Sequence, residues 1–350
     1  MVLRAARASR IATATAFGGG GLTVLGASTV ALLYLQAKIA HKAVGFTEWQ
    51  PPRVNGRYGS GDGDPIQFVM MGDSTAKGFA VPDPLLTPGA LLATGLSAAA
   101  DRPVRLRDVA VIGATSKDLH KQTVKVRRLP PDLVVVFIGA NDVIHRMRPA
   151  DSVRHLQHTV RELVQMGAEV VVATCPDLGS VQPVWQPLRF LVRRWSRQLA
   201  AAQTIGVVEE GGRTVSLTDL LADEFVAHPD VMFGPDRFHP SARGYAAAAS
   251  VVLPSAFSAL GLLPELADLP EPSRGGAVLP VSHAAVRAAE KPGTEVTGVS
   301  IGGRERGPRG RWAALLRRRP ESEEPVAPVA EEDAGPEGGD QRTADLGSTG

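Results

Sequence analysis

The sequence is nearly free of cysteine. Of 350 residues only Cys175 is a thiol, which excludes an intramolecular disulfide framework and a cysteine-built zinc site. Eight histidines occur, none of them in an HExxH motif or paired with cysteine at ligand spacing. No metal and no cofactor is therefore expected. An excess of charge of one sign is lacking too. The formal net charge is +2, which argues against a chain held to nucleic acid by a basic field. What is present, 44% hydrophobic and 21% charged residues, is the balance of a folded globular chain.

The two ends depart from that balance. Residues 1–10 carry Arg4, Arg7 and Arg10 and no acid, and an uncharged run follows from Ile11 to Gln36. Its 26 residues exceed the roughly 20 that cross a bilayer as a helix. Signal-peptide cleavage wants small residues at −3 and −1, and cuts after Ala40 or Ala43 put Lys38 or His41 at −3. A transmembrane signal anchor over 11–36 is expected, with cleavage and secretion as the alternative. Gly18–Gly21 weaken a helix there. The arginines place the N-terminus inside and the rest at the outer face of the cell membrane. Residues 37–63 read as a linker. From Pro264 onward, the chain has 10 prolines and 13 glycines in 87 residues, and its charge is blocked. Residues 304–319 hold seven arginines and one glutamate, whereas residues 320–350 hold nine acids and one arginine. A disordered, solvated tail over 263–350 is expected.

Between the ends, over 64–262, strands and helices alternate. Apolar runs of strand length fall at 66–71, 104–111, 133–138, 169–174 and 214–217. Segments of helical spacing fall at 88–100, 151–166, 187–204 and 241–260, the last with Ser241 as N-cap. Near-continuous apolar strands alternating with helices imply an α/β three-layer sandwich around a five-stranded parallel sheet. Ligands of such sheets lie beyond the carboxyl ends of the strands.

Three strand ends carry turn-forming sequences: Gly72-Asp73-Ser74-Thr75-Ala76-Lys77-Gly78, Gly113-Ala114-Thr115-Ser116 and Gly139-Ala140-Asn141-Asp142. Glycine and asparagine serve tight turns anywhere, so each alone is unremarkable. Before the last helix, Asp236 stands three residues ahead of His239. That spacing lets one loop turn bring a carboxylate onto an imidazole, as a general base requires.

In these four blocks the chain resembles the SGNH (GDSL-type) hydrolases. GDSxxxG is met by Gly72 to Gly78, the glycine block by Gly113, GxND by Gly139 to Asp142, and DxxH by Asp236 and His239. The resemblance covers about 66–245 and implies a flavodoxin-like sandwich and a serine esterase. It implies Ser74 as nucleophile, His239 as base and Asp236 as its orienting acid. It also implies an oxyanion hole from the Ser74 and Gly113 N–H groups and the Asn141 amide. One departure is Asp108, at a position where family members often carry asparagine. The lipase elbow GxSxG is absent, against an α/β-hydrolase proper.

The expected substrate is a small-molecule, lipid or carbohydrate ester, with Leu178, Val184 and Trp185 as candidate lining of its pocket. Cys175 reads as a core thiol. Arg189, Arg193, Arg194 and Arg197 surround Phe190, Leu191 and Trp195, which reads as a solvated outer helix, with an interfacial face as the alternative. An acyltransferase with the same triad and a membrane-tethered, non-catalytic binding domain remain rivals. A flavin-binding protein would leave the DxxH pair unexplained.

Overall fold

The structure is a computed structural model, described for residues 27–39, 49–181, 183–217, 222–262, 276–290, 294–301, 304–306 and 312–317. Its centre is a run of five parallel strands: β2 (Ile66–Gly72), β3 (Val104–Asp108), β4 (Leu133–Phe137), β5 (Glu169–Ala173) and β6 (Arg213–Val215). They lie in the order β3-β2-β4-β5-β6. The first strand is thus flanked by the second and third, the flavodoxin-like order, and the chain reverses direction across the sheet between β2 and β4. A sixth strand, β1 (Gly56–Tyr58), pairs antiparallel with β3. It lies in the segment read as linker.

The helices are α1 (27–39), α2 (Pro88–Ala100), α3 (Leu119–Val126), α4 (Ala140–Ile144), α5 (Pro149–Gln165) and α6 (Leu188–Glu209). Then come α7 (Ala222–Ala227), α8 (Pro229–Met232), α9 (Ala242–Ala259) and α10 (Val281–Glu290). Alternation along the strands makes the three layers. Phe68 and Met70 of β2, with Leu133, Val135 and Phe137 of β4, pack on α2 and α9 through Leu92, Leu96, Ala248 and Val252. The intervening Val69, Met71, Val134 and Val136 pack on the other face, against α3, α5 and α6 through Leu119, Leu156, Val160 and Val207. Each such fully buried aliphatic side chain contributes about 1.5–3 kcal/mol. Local signals set the helix starts: Pro88 follows the capping Thr87, and the Ser241 hydroxyl accepts the Gly244 N–H at 3.2 Å.

The expected disordered tail is contradicted over part of its length. β8 (Thr294–Ile301) joins β6 antiparallel, β10 (Trp312–Arg317) joins β8, β7 (Gly276–Pro280) joins β10, and β9 (Arg304–Arg306) pairs with β8. Between β7 and β8, Ala284 and Ala288 of α10 bury against Val208 of α6 and Val296. Glycine and proline fall largely between these short elements, so bulk composition hid them. Residues 318–350 lie outside the described residues, as do 1–26 of the expected anchor and its flank. Among the described residues no helix is long and apolar enough to cross a membrane. The described part of the anchor segment, 27–36, is helical within α1.

Candidate active site

The four blocks meet at the carboxyl edge of the parallel strands, beside the β2/β4 reversal. β2 ends in Gly72, at φ 129°, where a Cβ would stand 1.9 Å from the Phe137 carbonyl oxygen. Only glycine lets the chain turn there so close to β4. The Gln122 side chain of α3 clamps the same residue, accepting the Gly72 N–H at 2.8 Å and donating to its carbonyl at 2.8 Å. Asp73 then donates its N–H to the Phe137 carbonyl at 3.1 Å, and its carboxylate accepts the Thr75 N–H at 2.8 Å. Ser74 sits at the apex of this turn.

His239 Nε2 lies 2.8 Å from Ser74 Oγ, and His239 Nδ1 lies 2.5 Å from Asp236 Oδ2. The other Asp236 oxygen accepts the N–H groups of Phe238 and His239, each at 3.0 Å. Arg237 between them adopts φ 56°, and the Gly234 N–H donates to the His239 carbonyl at 2.8 Å. The three-residue spacing thus folds into a closed loop that aims the carboxylate at the ring. Burial alone would raise the Asp236 carboxyl, but hydrogen bonds and charge from His239 outweigh it and hold the carboxyl below its ordinary value. The His239 ring is flanked by Phe79, 4.4 Å between centroids, and by Phe238, 4.9 Å and edge-on. Phe79 is itself set by the Tyr245 hydroxyl, which donates to its carbonyl at 2.9 Å.

Gly113 stands on the loop after β3 and Asn141 on the first turn of α4, and the two segments are stitched to one another. Val111 N–H donates to the Gly72 carbonyl at 3.1 Å, and Gly113 takes φ 78°. Buried Asp142 accepts the Ser116 N–H at 2.9 Å, the Ser116 hydroxyl at 2.5 Å and the Ser152 hydroxyl at 2.8 Å. Asn141 Nδ2 donates to the Ala114 carbonyl at 3.0 Å. On the far side of β4, Gln203 donates to the Ile138 carbonyl at 3.1 Å and accepts the Cys175 N–H at 2.8 Å. Cys175 is a buried thiol, pushed well up by burial.

Asp108 forms an ion pair with Lys77 at 2.9 Å, and its side chain is only 2% exposed. It also accepts the Ala110 N–H at 2.8 Å. The departure from the family's asparagine therefore accompanies a lysine in the turn that bears Ser74, and the pair ties that turn to β3. Burial still lifts the Asp108 carboxyl despite Lys77.

A cavity of about 50 Å³ adjoins His239, lined among others by Thr75, Ala140, Leu178, Val181 and Phe238. Of the candidate pocket residues, Leu178 lines it; Val184 and Trp185 do not, and Trp185 is 61% exposed. Phe79, Phe238, Gln122, Gln203 and Lys77 were not singled out from the sequence. A lone glutamine on a helix has no pattern that announces it as a clamp on a strand end 50 residues away.

Two predictions follow from the frame. Replacing Gln122 by leucine leaves the buried Gly72 N–H unpaired at a cost of about 1–3 kcal/mol. Thermal unfolding of that variant should show Tm lower by about 2–4 °C per kcal/mol for a domain this size. Second, burial lifts the Asp73 carboxyl from 3.8 to about 6. A carboxyl raised on folding contributes fully below its unfolded value and loses that contribution as pH rises through the folded one. Asp73→Asn, which keeps the acceptor for Thr75, should match wild-type stability near pH 4. At pH 7–8 it should gain up to about 3 kcal/mol in urea melts. A gain independent of pH would refute the assignment.

A model of the GDSL-like lipase/acylhydrolase family matches residues 70–247. The GDSL-like esterase Rv1075c of Mycobacterium tuberculosis is 40% identical over 283 residues, spanning 76% of this chain and 88% of that one. Among solved structures, TesA superposes with a TM-score of 0.42 at 23% identity, over 56% of this chain and 99% of that chain. LAE5, an alpha/beta hydrolase enzyme from the metagenome of Lake Arreo in Spain, gives 0.45 at 21% identity, over 57% and 97%.

Proposed function

We propose, from the premise that this chain belongs to the GDSL-like lipase/acylhydrolase family and is an esterase-type hydrolase, that it cleaves carboxylic esters through an acyl-Ser74 intermediate. The observation that carries this reading is the unbroken hydrogen-bond chain from Ser74 through His239 to Asp236. Ser74 Oγ attacks the ester carbonyl carbon while His239 Nε2 takes its proton. The tetrahedral intermediate collapses, the C–O bond to the alcohol breaks, and His239 returns the proton to the leaving oxygen. Water then attacks the acyl-serine with His239 again as base, releasing the acid and restoring Ser74. Asp236 keeps the proton on Nδ1, so that Nε2 faces Ser74 as an acceptor, and stabilises the imidazolium.

The oxyanion is met by the N–H groups of Ser74 and Gly113 and by the Asn141 amide. An amide nitrogen carries two hydrogens; one holds the Ala114 carbonyl, and the other serves the oxyanion. Asn141→Ala should lower kcat by about 100- to 1000-fold, or roughly 2.7–4 kcal/mol, with little change in Tm. Turnover within a fewfold of wild type would remove Asn141 from the site.

The catalytic domain is assigned to the outer face of the cell membrane, with the N-terminal segment in the bilayer. The uncharged run 11–36 and the preceding arginines support this. The function is tested with p-nitrophenyl esters from acetate to palmitate and a fluorophosphonate probe. Hydrolysis and labelling together are expected. A well-folded chain silent to both would overturn the reading.

A further inference from the structure

We infer that the Lys77–Asp108 ion pair is a positioning device for the oxyanion hole: it holds the Ser74 N–H and the Gly113 N–H at the spacing that one oxyanion needs. This role rests on the acyl-Ser74 mechanism proposed above. Both side chains act through the backbone that bears the two donors. Among the described residues, neither of these N–H groups donates to a protein acceptor. They stand on separate segments, one after β2 and one after β3, so their separation is set by whatever joins those segments.

Two cross-links join them. The Val111 N–H donates to the Gly72 carbonyl at 3.1 Å, each residue standing just ahead of its donor. Lys77 Nζ meets Asp108 Oδ2 at 2.9 Å, on the far side of Ser74 in the chain. One link fixes a distance, and a second fixes the rotation of one segment against the other. The remaining Asp108 oxygen accepts the Ala110 N–H at 2.8 Å, so the same carboxylate grips the start of the loop that leads to Gly113. From Lys77 back to Ser74 the chain is a tight turn: the Lys77 N–H donates to the Asp73 carbonyl and the Phe79 N–H to the Ser74 carbonyl, each at 3.1 Å. A displacement of Lys77 is therefore passed to Ser74.

Exposed ion pairs are worth little. Here the Asp108 side chain is 2% exposed and that of Lys77 26%. The Gly113 loop, by contrast, is open, with Val111 and Ile112 each 44% exposed, and a Cβ on Gly113 would meet nothing within 4 Å. With little packed against Gly113, its place is set by the links at its base and, beyond it, by the bonds from Asn141 and Asp142 to Ala114 and Ser116. An asparagine at 108 would still accept the Ala110 N–H but would offer Lys77 an amide in place of the second oxygen. The carboxylate thus has one use that asparagine lacks, and Lys77 supplies it.

The test compares hydrolysis of p-nitrophenyl acetate and inhibition by ethylboronic acid in the full chain and in Lys77→Met, Asp108→Asn, the double variant and Lys77→Arg, with Tm read beside them. A boronic acid bonds to a serine oxygen and places a tetrahedral boronate oxygen where the oxyanion would lie, so its Ki reads the hole itself. Each of the two single losses should lower kcat/KM by about 10- to 100-fold, as a misplacement of up to about 1 Å does, and raise Ki by the same factor. The double variant should lose no more than either single one, because all three break the same pair. Lys77→Arg, which restores a cation, should recover most of the loss. A fall in kcat/KM that leaves Ki unchanged, or that merely follows a lowered Tm, would make the pair structural and overturn the inference. Variants equal to wild type in both readouts would overturn it too. A wild-type chain that hydrolyses no ester and takes up no fluorophosphonate overturns the acyl-Ser74 mechanism itself, and the role of the pair with it.

Discussion

Replacing Ser74 by alanine is expected to lower kcat for ester hydrolysis by about five to six orders of magnitude while leaving the fold intact. The size follows from what is lost. Without Oγ no acyl-enzyme would form, and only oxyanion binding and substrate positioning would remain, as when the nucleophile is removed from subtilisin. Stability should change little, because the turn that carries Ser74 is held by its neighbours. Gly72 is clamped by Gln122, Asp73 is bonded to Phe137 and Thr75, and Lys77 is paired with Asp108. Stopped assays with p-nitrophenyl acetate, read against Tm, separate the two effects. A loss of less than about 100-fold with unchanged Tm would mean that another group is the nucleophile.

The second large effect is expected at Asp236. Asparagine there keeps an oxygen for the N–H groups of Phe238 and His239, so the loop survives. Its amide hydrogens, however, would face His239 Nδ1. The ring would then accept at Nδ1 and carry its proton on Nε2, where it cannot take one from Ser74. A drop in kcat of about 10⁴ is expected, with KM little altered. The wild-type carboxyl, held below its ordinary value, should stay ionised well into acid. Its contribution to stability is present at neutral pH and is lost only as pH falls through that lowered value. Asp236→Asn should therefore lose stability relative to wild type at neutral pH and converge with it in strong acid.

The sandwich was legible because its signals are local and repeated. The five apolar runs end within a few residues of the observed parallel strands, and the strand-end rule points from the sequence to Ser74, Gly113 and Asn141. The Asp236–His239 spacing anticipated the loop that brings the two side chains together, and Ser241 caps α9 as expected. What the sequence hid depends on distant partners. Gln122 and Gln203 clamp backbone that periodicity does not connect to them, and Phe79, whose carbonyl accepts the Tyr245 hydroxyl, meets a His239 that lies 160 residues away in sequence. The edges of the sheet failed for a different reason. β1 and β7–β10 are mostly short, and those after β6 lie in Gly- and Pro-rich sequence whose composition imitates disorder. Small alanines of α10, with Val296, bury that region against Val208 of α6. The pocket reading failed in part because a loop tryptophan looks the same in sequence whether it lines a cavity or stands in solvent, as Trp185 does.

The most direct test of an acyl-Ser74 mechanism is intact-protein mass measurement after reaction with a fluorophosphonate, followed by peptide mapping of the adduct. One adduct per chain, located at Ser74 and rising in step with the loss of ester hydrolysis, is the predicted result. Hydrolysis that persists in fully modified protein, or an adduct at another residue that abolishes it, would contradict the mechanism.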